Sequence, residues 1–188
     1  YDADIAVLAL NDFVEFTNYV RPVCLPEDDE TVGDSKGVVV GWGLTEHSVD
    51  GKHEFIPREA TTTALNDSFC YTSNQALSEF SSTRIFCGGE VDKNDGSPDS
   101  GDSGGGFFVL QQTAWVQFGI ISSSLTDATG RRLTSSNTLY TNIASFKDWI
   151  TTTVKNSGSA VMTKYDGERK PVELSLIHIS EPTRQAEI

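Results

Sequence analysis

The sequence predicts an all-β domain, a barrel or sandwich of short strands. Apolar stretches of strand length recur along the chain, turns carrying Gly, Asp or Ser separate them, and clear helical spacing is confined to one segment near the C-terminus. The stretches are Ile5 to Leu10, Gly37 to Trp42, Phe107 to Leu110, Trp115 to Ile121 and Thr138 to Ile143. The first starts directly behind Tyr1-Asp2-Ala3-Asp4, as if a strand were already under way, so an upstream part is expected to be missing. Val32 to Lys36 reads as a linker. Leu44 to Pro57 reads as a long surface loop carrying His47 and His53, where a histidine is far more often a solvent residue than a catalyst. Ala144, Phe146, Trp149, Ile150 and Val154 fall close to helical spacing beside Ser145, a candidate N-cap, so a short helix is expected to close the domain and dock on the β core.

From Asn156 to Glu173 the pattern decays into Gly, Ser, Lys and Glu and reads as a flexible tail. Leu174 to Ile179 alternates like one more strand, but the run LSLIHISEPTR resembles a translated sequencing adapter of the transposase type, and Gln185 to Ile188 resembles the index that follows it. Residues 174–188, with His178, are therefore set aside as an adapter-derived artefact.

The 188 residues are 37% hydrophobic and 10% aromatic, enough for one main core and too apolar for general disorder. Lys+Arg 14 against Asp+Glu 27 leaves a net charge of -13, which repels nucleic acid and anionic membrane surfaces as partners. No apolar run approaches the ~18 residues of a membrane span. Cys24, Cys70 and Cys87 are too widely spaced for a CxxC metal knuckle, and His47 and His53 stand at no ligand spacing with them, so no metal is expected. An odd cysteine count fits buried thiols, or one pair plus a third cysteine tied to a segment elsewhere. Asn66-Asp67-Ser68 is a glycosylation acceptor triplet. The acidic run Glu90, Asp92, Asp95, Asp99, Asp102 invites a calcium reading, but Gly96 falls where the loop needs its third ligand and no helix flanks it, which favours a solvated loop.

The strongest chemical signal is Gly101-Asp102-Ser103-Gly104-Gly105. A serine between glycines can expose its Oγ while backbone N–H groups converge on a carbonyl oxygen, the geometry acyl transfer needs; the plain alternative is a Gly/Ser turn. The same letters fit GxSxG, the nucleophile elbow of α/β-hydrolases. That elbow requires a helix after the serine and a histidine later in the chain. Here Phe107-Phe108-Val109-Leu110 follows, rich in β-formers, and the only later histidine is His178, so the elbow fails on both counts.

Taken together, the motifs resemble the chymotrypsin/trypsin family. Asp4-Ile5-Ala6-Val7-Leu8 is similar to the family's segment bearing the triad acid, and Arg21-Pro22-Val23-Cys24-Leu25-Pro26 to its crossing between barrels. Gly41-Trp42-Gly43 resembles the opening of the second barrel, Phe86-Cys87-Gly88-Gly89 the Phe-Cys-Ala-Gly strand, and Gly119-Ile120-Ile121-Ser122 the substrate-lining strand. Leu139-Tyr140-Thr141-Asn142-Ile143 and Asp148-Trp149-Ile150 match the final strand and helix. The resemblance implies a double antiparallel β-barrel of which residues 1–155 hold the end of the first barrel, all of the second and a short C-terminal helix. It implies a secreted, extracellular serine endopeptidase made as a zymogen, acting on protein or peptide substrates and needing no cofactor.

By the same resemblance Ser103 is the nucleophile, Asp4 holds the histidine, and the N–H groups of Gly101 and Ser103 form the oxyanion hole. The histidine precedes the acid in this family, which places it upstream of Tyr1, so this chain alone is expected to be inactive. Asp102 is the acid that receives the amine freed by zymogen cleavage; because an unpaired buried carboxylate is costly, the loop is expected to relax without that partner. Cys70 and Cys87 correspond to a stapled pair, and Cys24 to the cysteine that ties the domain to an upstream pro-segment or light chain. Departures are equally specific. Asp99 replaces a cysteine of the disulfide beside the active site and Ser123 to Ser136 holds no partner, implying a looser pocket wall. Gly106 replaces a proline, and Ser123-Ser124 replaces Trp-Gly. Ser97, Ser122, Ser124 and Thr138 are the expected substrate-binding residues; Ser124 and Thr138 at glycine positions narrow the pocket toward small apolar side chains, and Ser97 at its floor leaves no acid for Lys or Arg. The rival reading is a non-catalytic homologue acting as a binding or cofactor protein in a proteolytic cascade.

Overall fold

The computed structural model of the chain describes residues 3–12, 14–28, 30–45, 55–73, 78, 81–91, 96–124, 137–157 and 176–177. The strands are β1 (Leu8–Ala9), β2 (Lys36–Gly41), β3 (Arg58–Leu65), β4 (Ile85–Gly89), β5 (Gly106–Gln111), β6 (Ala114–Ser124), β7 (Thr138–Asn142) and β8 (Leu176–Ile177). Helix α1 (Asp67–Ser73) lies between β3 and β4, and a 3-10 turn, Ile143–Phe146, leads from β7 into α2 (Lys147–Asn156).

Six strands close into an antiparallel barrel in the order β2-β3-β4-β7-β6-β5, which leaves no free sheet edge to be covered. Its core is Val39, Ala64, Phe86, Phe107, Val116, Phe118, Ile121 and Tyr140. The rings of Phe86 and Tyr140 stack at 5.0 Å, and Phe107 meets Phe86 edge-on at 5.3 Å. Glycine makes room for them: a Cβ on Gly119 would lie 2.6 Å from the Phe86 ring, closer than any packed carbon tolerates. Full burial of each such side chain contributes roughly 1.5–3 kcal/mol, so these rings dominate the barrel's stability.

Strand β6 serves two cores, and its burial is correspondingly continuous from Val116 to Ser122. Val116, Phe118 and Ile121 belong to the barrel core, while Ile120 joins Ile143, Phe146, Ile150 and Val154 of the C-terminal turn and helix. Ile5, Val7 and Leu25 pack on this second cluster, so the N-terminal segment is docked where β6 meets α2. Further along, Cys24 N–H donates to Trp115 O at 3.1 Å and Gln117 N–H to Cys24 O at 2.9 Å, adding one bridge beside β6.

Several expectations need correction. Strand β3 was not foreseen: Thr62, Thr63, Ala64 and Leu65 are all buried, so the alternation that marks a half-exposed strand is absent. Val32 to Lys36 is a packed turn, with Val32 against the barrel core and Ser35 N–H donating to Val32 O at 3.3 Å. Ser145 caps nothing; α2 starts behind Phe146 with no side-chain cap, and Ser145 Oγ donates to Thr83 O at 2.8 Å. The helix buries Ile150 and Val154 as expected, but Trp149 is 42% exposed. Residues 176–177 pair with β1, Leu8 opposite Ile177, a two-residue ladder on which nothing in the site depends. His47, His53 and His178 lie outside the described residues, as do residues 158–173 of the expected tail.

Candidate active site

The loop between β4 and β5 crosses one end of the barrel and is tied down at three places. Gly96 N–H donates to Thr61 O at 2.7 Å, Leu44 N–H to Ser100 O at 2.9 Å, and Gly104 N–H to Ile121 O at 2.8 Å. The last contact is reciprocated one residue on, where Ile121 N–H donates to Gly105 O at 2.8 Å. Gly101 and Gly104 take positive φ angles of 98° and 85°, a region a side chain would resist, so the two glycines allow the chain to coil tightly around the serine. Ser103 sits exposed at the crest of this coil. The Gly101 and Ser103 N–H groups have no acceptor among the described residues, as an oxyanion site requires. The chain then leaves as β5 and not as a helix, which removes the nucleophile-elbow alternative.

Asp102 points the other way, under the turn. Its Oδ1 accepts from Gly43 N–H at 2.7 Å and its Oδ2 from Asp99 N–H at 3.0 Å. Two backbone donors therefore satisfy the carboxylate. This contact explains Gly41-Trp42-Gly43: a Cβ on Gly43 would lie 2.5 Å from the Asp102 carboxyl carbon, and one on Gly41 would overlap the carboxylate. Asp99, standing where a cysteine was expected, secures the turn by other means. Its Oδ1 accepts from Ser100 N–H at 2.7 Å and its carbonyl from Asp102 N–H at 3.0 Å.

Asp4 is half-buried and fixed from two strands. Ser122 Oγ donates to Asp4 Oδ2 at 2.7 Å, and Thr141 Oγ1 donates to the Asp4 carbonyl at 2.8 Å. Asp4 Oδ1 keeps its accepting capacity, with no partner among the described residues. The serine turn and the acid are thus fastened to consecutive residues of β6, Ile121 through its backbone and Ser122 through its hydroxyl. That hydroxyl is committed to Asp4, so Ser122 can offer a substrate only its backbone. The partnership joins positions 118 residues apart and left no mark in the local sequence.

The remaining predicted residues divide. Ser124 and Thr138 face each other across β6 and β7; Thr138 is 1% exposed and its Oγ1 has no hydrogen-bond partner among the described residues. Ser97 Oγ donates to Glu90 Oε1 at 2.8 Å. The fold thus brings Glu90, seven residues earlier, against Ser97. Cys70 and Cys87 are disulfide-bonded, joining α1 to β4, and Cys24 is a free, exposed thiol. Among the described residues no helix is long and apolar enough to cross a membrane.

Residues 1–150 match the family described as Trypsin. Serine protease gd of Drosophila melanogaster is 30% identical over 181 residues, which cover 80% of this chain and 34% of that protein. Phenoloxidase-activating factor 1 of Holotrichia diomphalia is 36% identical over 152 residues, 78% of this chain and 38% of the relative. CLIP domain-containing serine protease B15 of Anopheles gambiae is 31% identical over 159 residues, 79% and 40% respectively. The chain spans between a third and two fifths of the length of these relatives.

Proposed function

The chain belongs to the chymotrypsin/trypsin-like serine protease family, and from that premise we propose that the full-length protein is a secreted serine endopeptidase, made as a zymogen, that cleaves protein substrates in a proteolytic cascade. The observation that carries the reading is the shared fastening of the Ser103 turn and Asp4 to Ile121 and Ser122. Ser103 Oγ attacks the scissile carbonyl, and the N–H groups of Gly101 and Ser103 receive the negative charge that develops on its oxygen. Asp4, steadied by Ser122 and Thr141, holds a histidine through its remaining oxygen; that base precedes Asp4 in the full-length protein, so this chain alone does not hydrolyse peptides efficiently. Asp102 receives the amine released on activation, exchanging a backbone donor for a charged one. Cys24, exposed beside β6, ties the domain to an upstream pro-segment or light chain.

The test is fluorophosphonate labelling of the activated full-length protein with Ser103→Ala as control. The expected result is a label that disappears in the variant, with peptidase activity falling by at least about 10⁴-fold. Failure of the activated wild type to label would overturn the assignment. That failure is what the rival reading requires, a non-catalytic homologue serving as a binding or cofactor protein, which the substitutions Asp99 for Cys and Ser123-Ser124 for Trp-Gly favour.

Thr138, buried opposite Ser124, supports a primary pocket narrowed toward small apolar side chains. A positional peptide library that returns strict Arg/Lys preference would refute this narrowing, and Glu90 beside Ser97 would then be the acid responsible.

A further inference from the structure

Asn66-Asp67-Ser68 is the only Asn-x-Ser/Thr triplet in the sequence, and the peptidase reading does not use it. Asn66 alone links β3 to α1, whose first turn holds Asp67 and Ser68, and Asn66 and Ser68 are both exposed. The Asn66 amide is divided between two tasks. Its Oδ1 accepts from Phe69 N–H at 2.8 Å, while its Nδ2 has no partner among the described residues. Three residues on, Phe69 is 55% exposed. Cys70, four residues after Asn66, is bonded to Cys87, and such bonds form in the oxidising compartments of the secretory route, where N-glycan transfer also takes place.

We propose that Asn66 carries an N-linked glycan. In the transfer, Asn66 Nδ2 forms a bond to the anomeric carbon of an oligosaccharide delivered by a polyisoprenyl diphosphate. The bond from that carbon to the diphosphate oxygen breaks, the diphosphate leaves with the electron pair, and one Nδ2 proton passes to a base of the transferase. The product is a secondary amide whose carbonyl oxygen is unchanged, so the hydrogen bond from Phe69 N–H survives. The first sugars stand beside the Phe69 ring and cover it.

The experiment is secretion of the full-length protein from a eukaryotic host, followed by peptide N-glycosidase digestion and peptide mass mapping. The expected result is one downward step in apparent mass, with aspartate left at position 66. The step should vanish in Asn66→Gln and in Ser68→Ala; the second leaves the Asn66 to Phe69 hydrogen bond in place, which separates loss of the glycan from loss of α1. Ser68→Thr should raise the glycosylated fraction. Secreted wild type with the Cys70–Cys87 bond formed and no mass change on digestion would overturn the proposal, as would a peptide map that places the glycan elsewhere. Neither result touches the peptidase reading, which is read at Ser103.

Discussion

The serine and the acid are held by two regions built on different principles. Ser103 rides on a turn whose shape is written locally, in glycines with positive φ and in backbone hydrogen bonds to the closed barrel. Asp4 lies on an extended segment that forms no strand of the barrel; among the described residues Ser122, Thr141 and the packing of Ile5 and Val7 fix it. Leu8 and Leu10 just beyond are each 37% exposed. A local device survives in isolation, whereas a docked one depends on every surface it touches. The Ser103 turn should therefore be the more robust of the two.

The largest perturbation of the barrel side is reduction of its disulfide. Cys70→Ser with Cys87→Ser opens a link across 17 residues and should cost about 3 kcal/mol in urea unfolding of the chain. Next is Gly43→Ala, which forces the Asp102 carboxylate off its two backbone donors and should cost about 2 kcal/mol. On the proposed peptidase reading it should depress kcat of the full-length protein more than KM, because the proposed oxyanion donors sit on the same turn. A Gly43→Ala protein with unchanged stability would show that the carboxylate has a second resting place. Ser122→Ala attacks the acid side and should cost about 1.5 kcal/mol, with faster amide hydrogen exchange at Ile5 to Val7 and unchanged exchange at Gly104. Equal loosening of both would abolish the distinction between the two regions.

The smallest effect concerns the latch where the N-terminal segment meets α2. Lys147 Nζ lies 2.9 Å from Asp28 Oδ1 and 3.4 Å from Glu27 Oε2, and the hydrogen bond to Asp28 raises the lysine's pKa. Nearby, the hydrogen bond from Gln111 lowers the pKa of Glu30. The lysine's contribution is complete below its unfolded pKa and is lost as pH rises through the folded one. That of Glu30 is present above its unfolded pKa and is lost as pH falls through the folded one. Stability should be flat near neutrality, with Asp28→Asn costing only about 0.5 kcal/mol in so exposed a pair; the difference should close at strongly alkaline pH.

The sequence displayed what local chemistry encodes. The Gly-Asp-Ser-Gly-Gly string and the closing helix were legible as local patterns, and the Cys70–Cys87 pair through the family resemblance. Strand β3 escaped because burial on both faces erases the period of two, and Thr61-Thr62-Thr63 carries no large apolar side chain to betray it. α1, seven residues long, is too short to show a helical period. The Ser122 to Asp4 bond and the approach of Glu90 to Ser97 were illegible for another reason: they are products of closure, and no window of sequence contains both partners in a recognisable pattern.

In the pairing of β6 with β7, Ile121 stands opposite Tyr140 and Ser123 opposite Leu139, so Ser122 is one residue too many. Such a bulge re-aims a single side chain and resets the alternation of everything after it. Deleting that one residue would put Ser123 in its place and bring each later side chain of the strand to the opposite face. Substitution at positions 123 and 124 therefore leaves the Ser122 contact with Asp4 in place, whereas a deletion changes which residue makes it.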